Sequence, residues 1–405
     1  MKILRQQIIT CIFLVFVVLV NAQMTNLGQM HIRQNTDVSV LQSLENKDTA
    51  MIVNNGILHL SKNFKNNGIV SFTSQNSAKT IFKGLEKQYI SGEGVTEFFN
   101  LQVMNSSPDF SITSNSIISI HGLTDLHDGV VEKQDNGKVI FQDDASHANL
   151  KDESYFDNKV YKQGNKAFVF PLGHNTLGRY ISRFTAISAP DLQTDVFSAA
   201  YIWRNSNTDF DHKKKESTIT NINTEEYWII QPEEGNSNVA ITLSWNDVTT
   251  ASNLLFNPEE IVIVRWNGEK WINEKGTVDL NNKSVTTLPS GYGVFTLANV
   301  NAFEILNLPD SFSPNNDGVN DTFKIPGLAA DFPNFNMQIY NRYGNIVYDY
   351  KNNGSSNPAW WNGKSQGRAT VSGNQKIVPA ATYWYIIDFN DGITKPVQKW
   401  LYLNK

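Results

Sequence analysis

The chain has 405 residues, more than a single hydrophobic core usually organises, so two to three domains of about 100 to 200 residues are expected. Its 34 basic and 39 acidic side chains give a formal net charge of -5, which argues against nucleic acid as a partner. Its one cysteine, Cys11, sits so close to the N-terminus that the remaining 394 residues contain no thiol, excluding disulfides, thiolate metal sites and cysteine catalysis there.

In chain order, Lys2 and Arg5 precede an apolar run from Ile8 to Val20, and Asn21-Ala22 supplies a small-residue end before Gln23. This pattern reads as a secretory signal peptide over residues 1–22. The run falls short of the roughly 20 residues a spanning helix needs, so no membrane-spanning helix is expected in the mature chain. Loss of Lys2 and Arg5 with the leader would move the charge from -5 to -7.

Residues 23–150 consist of short apolar runs punctuated by Asn and Gly. The tetrapeptide NNGI occurs at Asn54 to Ile57 and again at Asn66 to Ile69, and Gly84, Gly92, Gly122 and Gly129 continue the punctuation. Strands this short, without a helical period, suit the stacked coils of a parallel β-helix; an antiparallel sandwich is the alternative, and Gln88 to Val103 favours the helix. All nine Trp lie between Trp203 and Trp400, which marks a composition shift and a boundary near residues 152–157. Val239, Ile241, Leu243 and Trp245 alternate as in a strand, and Asn267-Gly268 gives the segment Arg265 to Trp271 a tight hairpin turn. Residues 151–300 are therefore expected to form a β-sandwich, with Asn299 to Ala302 as a linker.

Few residues in these regions suggest chemistry. His121, Asp125 and His127 could share a strand face and hold zinc, but the glycines around them point to surface turns. Gly173 to Gly178 has the glycine spacing of a phosphate loop, with Arg179-Tyr180 where Lys and Ser or Thr are needed. The pairs Glu225-Glu226, Glu233-Glu234 and Glu259-Glu260 read as solvated strand edges rather than glycosidase carboxylates, because adjacent strand residues face opposite ways. Lys213-Lys214-Lys215 reads as a solvated loop. Trp228, Trp245, Trp266 and Trp271 could form a sugar-stacking platform, though alternating aromatics more often build a core. No catalytic constellation emerges, and the chain is expected not to be an enzyme.

The last hundred residues are the most informative. They contain FSPNNDGVND (Phe312 to Asp321, with Pro314, Asp317, Gly318 and Asn320), then IYNRYGNIVY (Ile339 to Tyr348, with Asn341, Arg342 and Gly344), then Trp361-Asn362-Gly363. VPAATYWYII (Val378 to Ile387) and a terminal WLYLNK follow. Tyr383 and Tyr385 lie on one side of a strand with Ile387, while Trp400 and Tyr402 face oppositely to Leu401 and Leu403. These blocks resemble the gliding motility-associated C-terminal domain family, over residues 303–405. Asn362 stands where that family has Asp, Ala381 where it mostly has Gly, and Lys399 where Gly often precedes the Trp. The cluster Asn316, Asp317, Asn320 and Asp321 also offers hard oxygens in one turn; calcium is a possible occupant, although Asn and Asp serve tight turns without a metal.

The resemblance implies a C-terminal Ig-like β-sandwich that acts as a type-B sorting signal for type IX secretion in Bacteroidetes, read by an outer-membrane barrel of the PorP/SprF type. Two segments before it are similar to parts common in such secreted proteins: the stretch Gln88 to Val103, and the one opening at Tyr155. The expectation is an all-β protein with a β-helix-like N-terminal region, a central sandwich and a sorting domain. It would be exported through the periplasm to the cell surface at the outer membrane, as an accessory part of a gliding motility or adhesin assembly, with a large gliding adhesin as one possible partner. Alternatives are a carbohydrate-binding adhesin and a polysaccharide hydrolase whose site lies in the β-helix groove.

Overall fold

The computed structural model describes residues 23–404, apart from 75–76, 108–111, 135–136, 158, 177–178, 301–307, 367–376 and 392–395. The chain from Gln23 winds into a parallel solenoid with three sheets as its sides. One sheet begins Gln23–Asn26, Ser43–Asn46, Phe64–Asn66; the second Gln29–Ile32, Met51–Asn54, Ile69–Ser71; the third Asp37–Val40, Ile57–Leu60, Lys79–Gly84. About six turns stack in this way. Coil length varies, since Leu44 lies beside Phe64 and Phe64 beside Ile90, which accounts for the irregular spacing of the glycines.

Asparagines that recur at one corner of successive coils form a ladder. Asn26 donates to Asn46 Oδ1 at 2.8 Å, and Asn46 to Asn66 Oδ1 at 2.8 Å, while Asn66 ends the ladder on Thr96 Oγ1 at 2.9 Å. Asn46 and Asn66 are buried, so each needs these partners. Gly68 must be glycine for a different reason: a Cβ there would meet the carbonyl oxygens of Ala50 at 2.1 Å and Lys47 at 2.4 Å. Inside the coils, Phe64, Phe82 and Phe98 pack edge to face along the axis. Each such buried side chain contributes about 1.5–3 kcal/mol.

The solenoid turns into the sandwich by losing a side. The third sheet ends at Ser146–Ala148, close to the expected boundary at 150, whereas the other two sheets run on across it. Val160–Gln163 pairs antiparallel with Val196–Ile202, and Phe168–Thr176 forms a hairpin with Arg179–Ile187. One apolar core extends from Ile32 to Leu297 through both regions. The expected hairpin at Asn267-Gly268 is present, with Trp266 opposite Trp271 and Gly268 at φ +103°. Asn299 and Val300 belong to the strand Gly293–Val300 rather than to a linker; Asn301 and Ala302 lie outside the described residues.

A separate core holds the C-terminal unit. Its five-stranded sheet has the order Ser311–Phe312, Val397–Leu403, Ala381–Asp388, Asn336–Tyr340, Ile346–Lys351. Phe323, Ile325, Leu328, Trp361 and Val378, from outside the sheet, join this core. Two short bridges, Phe323 with Trp361 and Lys364 with Ile377, tie these segments together.

Candidate functional site: the two faces of the C-terminal sheet

Alternation along the strands sorts the recurrent residues into two sets. Tyr383, Tyr385, Ile387, Val397, Leu401 and Leu403 point inward and are buried. Phe312 packs on Trp361 with ring centres 5.1 Å apart, Trp361 on Tyr383 at 5.3 Å, and Phe323 on Tyr385 at 4.9 Å. Trp361 Nε1 donates to Lys364 O at 3.0 Å, and the Tyr383 hydroxyl to Pro379 O at 2.8 Å. Burial pushes the hydroxyl pKa of both Tyr383 and Tyr385 up. Gly363, at φ +75°, locks three of the sequence blocks together. A Cβ there would lie 2.9 Å from Pro314 Cγ and 3.1 Å from Leu403 Cδ1. Asn362, which stands where Asp is usual, accepts from Lys364 N through its Oδ1 at 3.3 Å. Lys399 places its Nζ 2.6 Å from Asp310, holding the last strand beside Ser311–Phe312.

The loop after Phe312 closes on itself. Asp321 accepts from the backbone N–H groups of Asn316 and Gly318, the latter at 2.8 Å, and Asp317 Oδ1 accepts from Val319 N at 2.8 Å. Asn315 Nδ2 donates to Asp317 Oδ2 at 2.9 Å. Asn316, Gly318 and Asn320 all take left-handed backbone, at φ +66°, +86° and +52°, which only Gly and Asn adopt readily. The Val319 N–H holds the Asp317 carboxyl below its ordinary pKa. Thus all four carboxylate oxygens of the candidate calcium cluster already accept hydrogen bonds within the turn. At the other loop, Asn341 Oδ1 accepts from Tyr343 N and Asn345 N, each at 3.0 Å, and Gly344 sits at φ +78°. Arg342 lies over the Tyr343 ring at 4.9 Å.

The outward set forms one row. Ile346 pairs with Tyr340, Tyr340 with Trp384, and Trp384 with Trp400, so four adjacent strands each present an apolar or aromatic side chain at the same level. Trp384 is 52% exposed, Trp400 46% and Tyr402 42%. A depression of about 450 Å³ beside Trp384 is lined by Tyr340, Asn341, Arg342, Gly344 and Gln398. Trp384 and Tyr340 were not singled out in the sequence. The signal was available, because period-2 alternation that sends Tyr383 and Tyr385 inward sends Trp384 outward.

The remaining candidates are not brought together. Asp125 spends both carboxylate oxygens on Gln102 and Asn149, each at 2.7 Å, and His121 lies outside the strand Leu123–Asp128 that carries Asp125 and His127. Among the described residues no group of three or more His, Cys, Asp or Glu is gathered to hold a metal. Gly173 lies in a hairpin strand, not before a helix, and residues 177–178 fall outside the described ones. Trp228, Trp245 and Trp271 are buried, so the four tryptophans of the central region do not form an exposed platform. Lys215 is not merely solvated: its Nζ donates to the carbonyls of Ile219 and Thr220, both at 2.6 Å. Glu226 departs most from its expected solvated edge. It is fully buried beside Arg183 Nε at 2.9 Å and accepts from Tyr201, Thr249 and Thr250.

Residues 306–403 match the family described as the CHU_C Type IX secretion signal domain. No curated protein and no solved structure matches the chain. The C-terminal unit is thus a type IX secretion signal, and the chain carries the address of a secreted substrate of that pathway.

Proposed function

We propose that the protein is a non-enzymatic surface component, an accessory part of a gliding or adhesin assembly at the outer membrane, and that the export machinery reads its address on the outward row Ile346, Tyr340, Trp384 and Trp400. The observation that carries the recognition part is this row itself. A folded signal is legible only through what it leaves outside, and here the exposed aromatics lie back to back with the inward aromatics that hold the sheet together. Large exposed apolar patches mark interaction sites, and aromatic anchors dominate interface energies. Burial of three central tryptophans speaks against the sugar-binding alternative.

The test is export of the full chain carrying Trp384→Ala and Trp400→Ala together. Two lost anchors at about 2 kcal/mol each should weaken recognition by two to three orders of magnitude. Surface and medium levels should fall while the periplasmic pool rises, with the melting temperature of the purified variant little changed. Normal export of a normally folded variant would remove this face from consideration.

A further inference from the structure

The first coil of the solenoid presents a second surface that is unpartnered among the described residues. Gln23–Asn26, Gln29–Ile32 and Asp37–Val40 are the outermost strands of their three sheets, and all belong to the first coil. The coils that follow it are covered on both sides by backbone hydrogen bonds, by core side chains and, at one corner, by the Asn26–Asn46–Asn66 ladder. No described strand pairs with the outer side of the first coil. Met24, Leu27 and Leu41 around it are 41%, 75% and 69% exposed, and Met30 and Val38 are only partly buried against the core.

Open strand edges template further pairing, and natural proteins guard them with Lys, Pro or a polar cap. This coil has none of those guards. Residues 23–42 contain no Lys and no Pro, and their only charges are one Arg and one Asp. What fits three extended edges is another set of extended edges.

We propose that this end pairs with the same end of a second copy, giving a two-fold symmetric dimer joined through the first coils. Head-to-tail stacking has no acceptor, since the far end of the solenoid continues into the sandwich through two of its sheets. That leaves the isologous arrangement, which closes at two copies. A two-fold axis across the solenoid makes the edges meet antiparallel, a pairing that sheets accept in mixed ladders. With the axis through the corner at residues 33–36, Gln29–Ile32 of one copy meets Asp37–Val40 of the other, and Gln23–Asn26 meets itself. All three strands are four residues long, so the edges match in length. The same axis sets exposed Arg33 near exposed Asp37 of the second copy. About twenty residues a side is the lower bound for specific interfaces, so the dimer should be of micromolar strength.

Sedimentation of the chain from Gln23 to Lys405 should show twice the monomer mass at about 50 µM and dissociation on dilution. Leu27→Glu with Leu41→Glu places like charges on both sides of the axis and should leave a monomer with an unchanged melting temperature. Because the chain from Gln23 has no cysteine, a single Arg33→Cys should cross-link into a dimer under mild oxidation, whereas Thr277→Cys, in the outermost strand of the far end, should not. A monomer throughout the concentration range, a dimer indifferent to the two charges, or equal cross-linking at both positions overturns the proposal.

Discussion

Among single residues, Glu226 matters most to the central region. It precedes the strand Tyr227–Glu234 of one layer and pairs with Arg183 from the other, so the ion pair ties the two sheets together. Three hydroxyls also donate to its carboxylate, while Arg183 Nη2 is buried with no partner among the described residues. Burial, with the adjacent carboxylate, keeps the Tyr201 hydroxyl well above its ordinary pKa and therefore a donor. Breaking a buried pair leaves the other charge stranded, at a cost of about 3–5 kcal/mol. Glu226→Ala should lower the urea midpoint accordingly, whereas exposed Glu225→Ala should stay within about 0.5 kcal/mol of the parent. Equal effects of the two would show that the network is not what joins the layers. In the sequence the two glutamates look alike. What separates them is Arg183, forty-three positions away, and adjacency along the chain carries no trace of that contact.

At the scale of the element, alternation was a dependable guide. The terminal strand has the inward and outward sets expected of it, and the Asn-Gly punctuation of residues 23–150 marks real corners. Pairing was less legible, because backbone hydrogen bonds leave no mark on side-chain pattern. Val397–Leu403 lies between Ala381–Asp388 and the short Ser311–Phe312, which covers it at Tyr402 and Leu403. Only its earlier part has an outer side unpaired among the described residues. This position changes what a truncation reports. Deleting Lys399 to Lys405 removes Leu401 and Leu403 from the core and a neighbour from Phe312, so it should unfold the C-terminal unit as well as stop export. Limited proteolysis should find residues 303–398 of that variant degraded and the region before 300 intact. A truncated but protease-resistant C-terminal unit would show that the last strand is dispensable for the fold and serves recognition alone.

For the whole molecule, composition divides the chain near residue 152, while packing joins what composition divides. The shift in tryptophan content is real, yet it accompanies a change from three sheets to two within one continuous core, with Phe141 packed on Phe156 and Phe168 across the shift. Sheet continuity of this kind depends on register between distant strands, which neither periodicity nor turn residues encode. Cooperative unfolding follows shared cores, and the described residues form two large ones, from Ile32 to Leu297 and from Phe312 to Leu403. Calorimetry of the chain from Gln23 should therefore resolve two transitions. Residues 23–300 alone should reproduce one of them, and Glu226→Ala should shift only that one. Residues 23–150 alone should aggregate, since cutting there strips Phe141 of Phe156 and Phe168 and opens two more sheet edges. Three separable transitions, or a soluble and cooperative 23–150 fragment, would mean that the solenoid and the sandwich are independent units sharing only a seam.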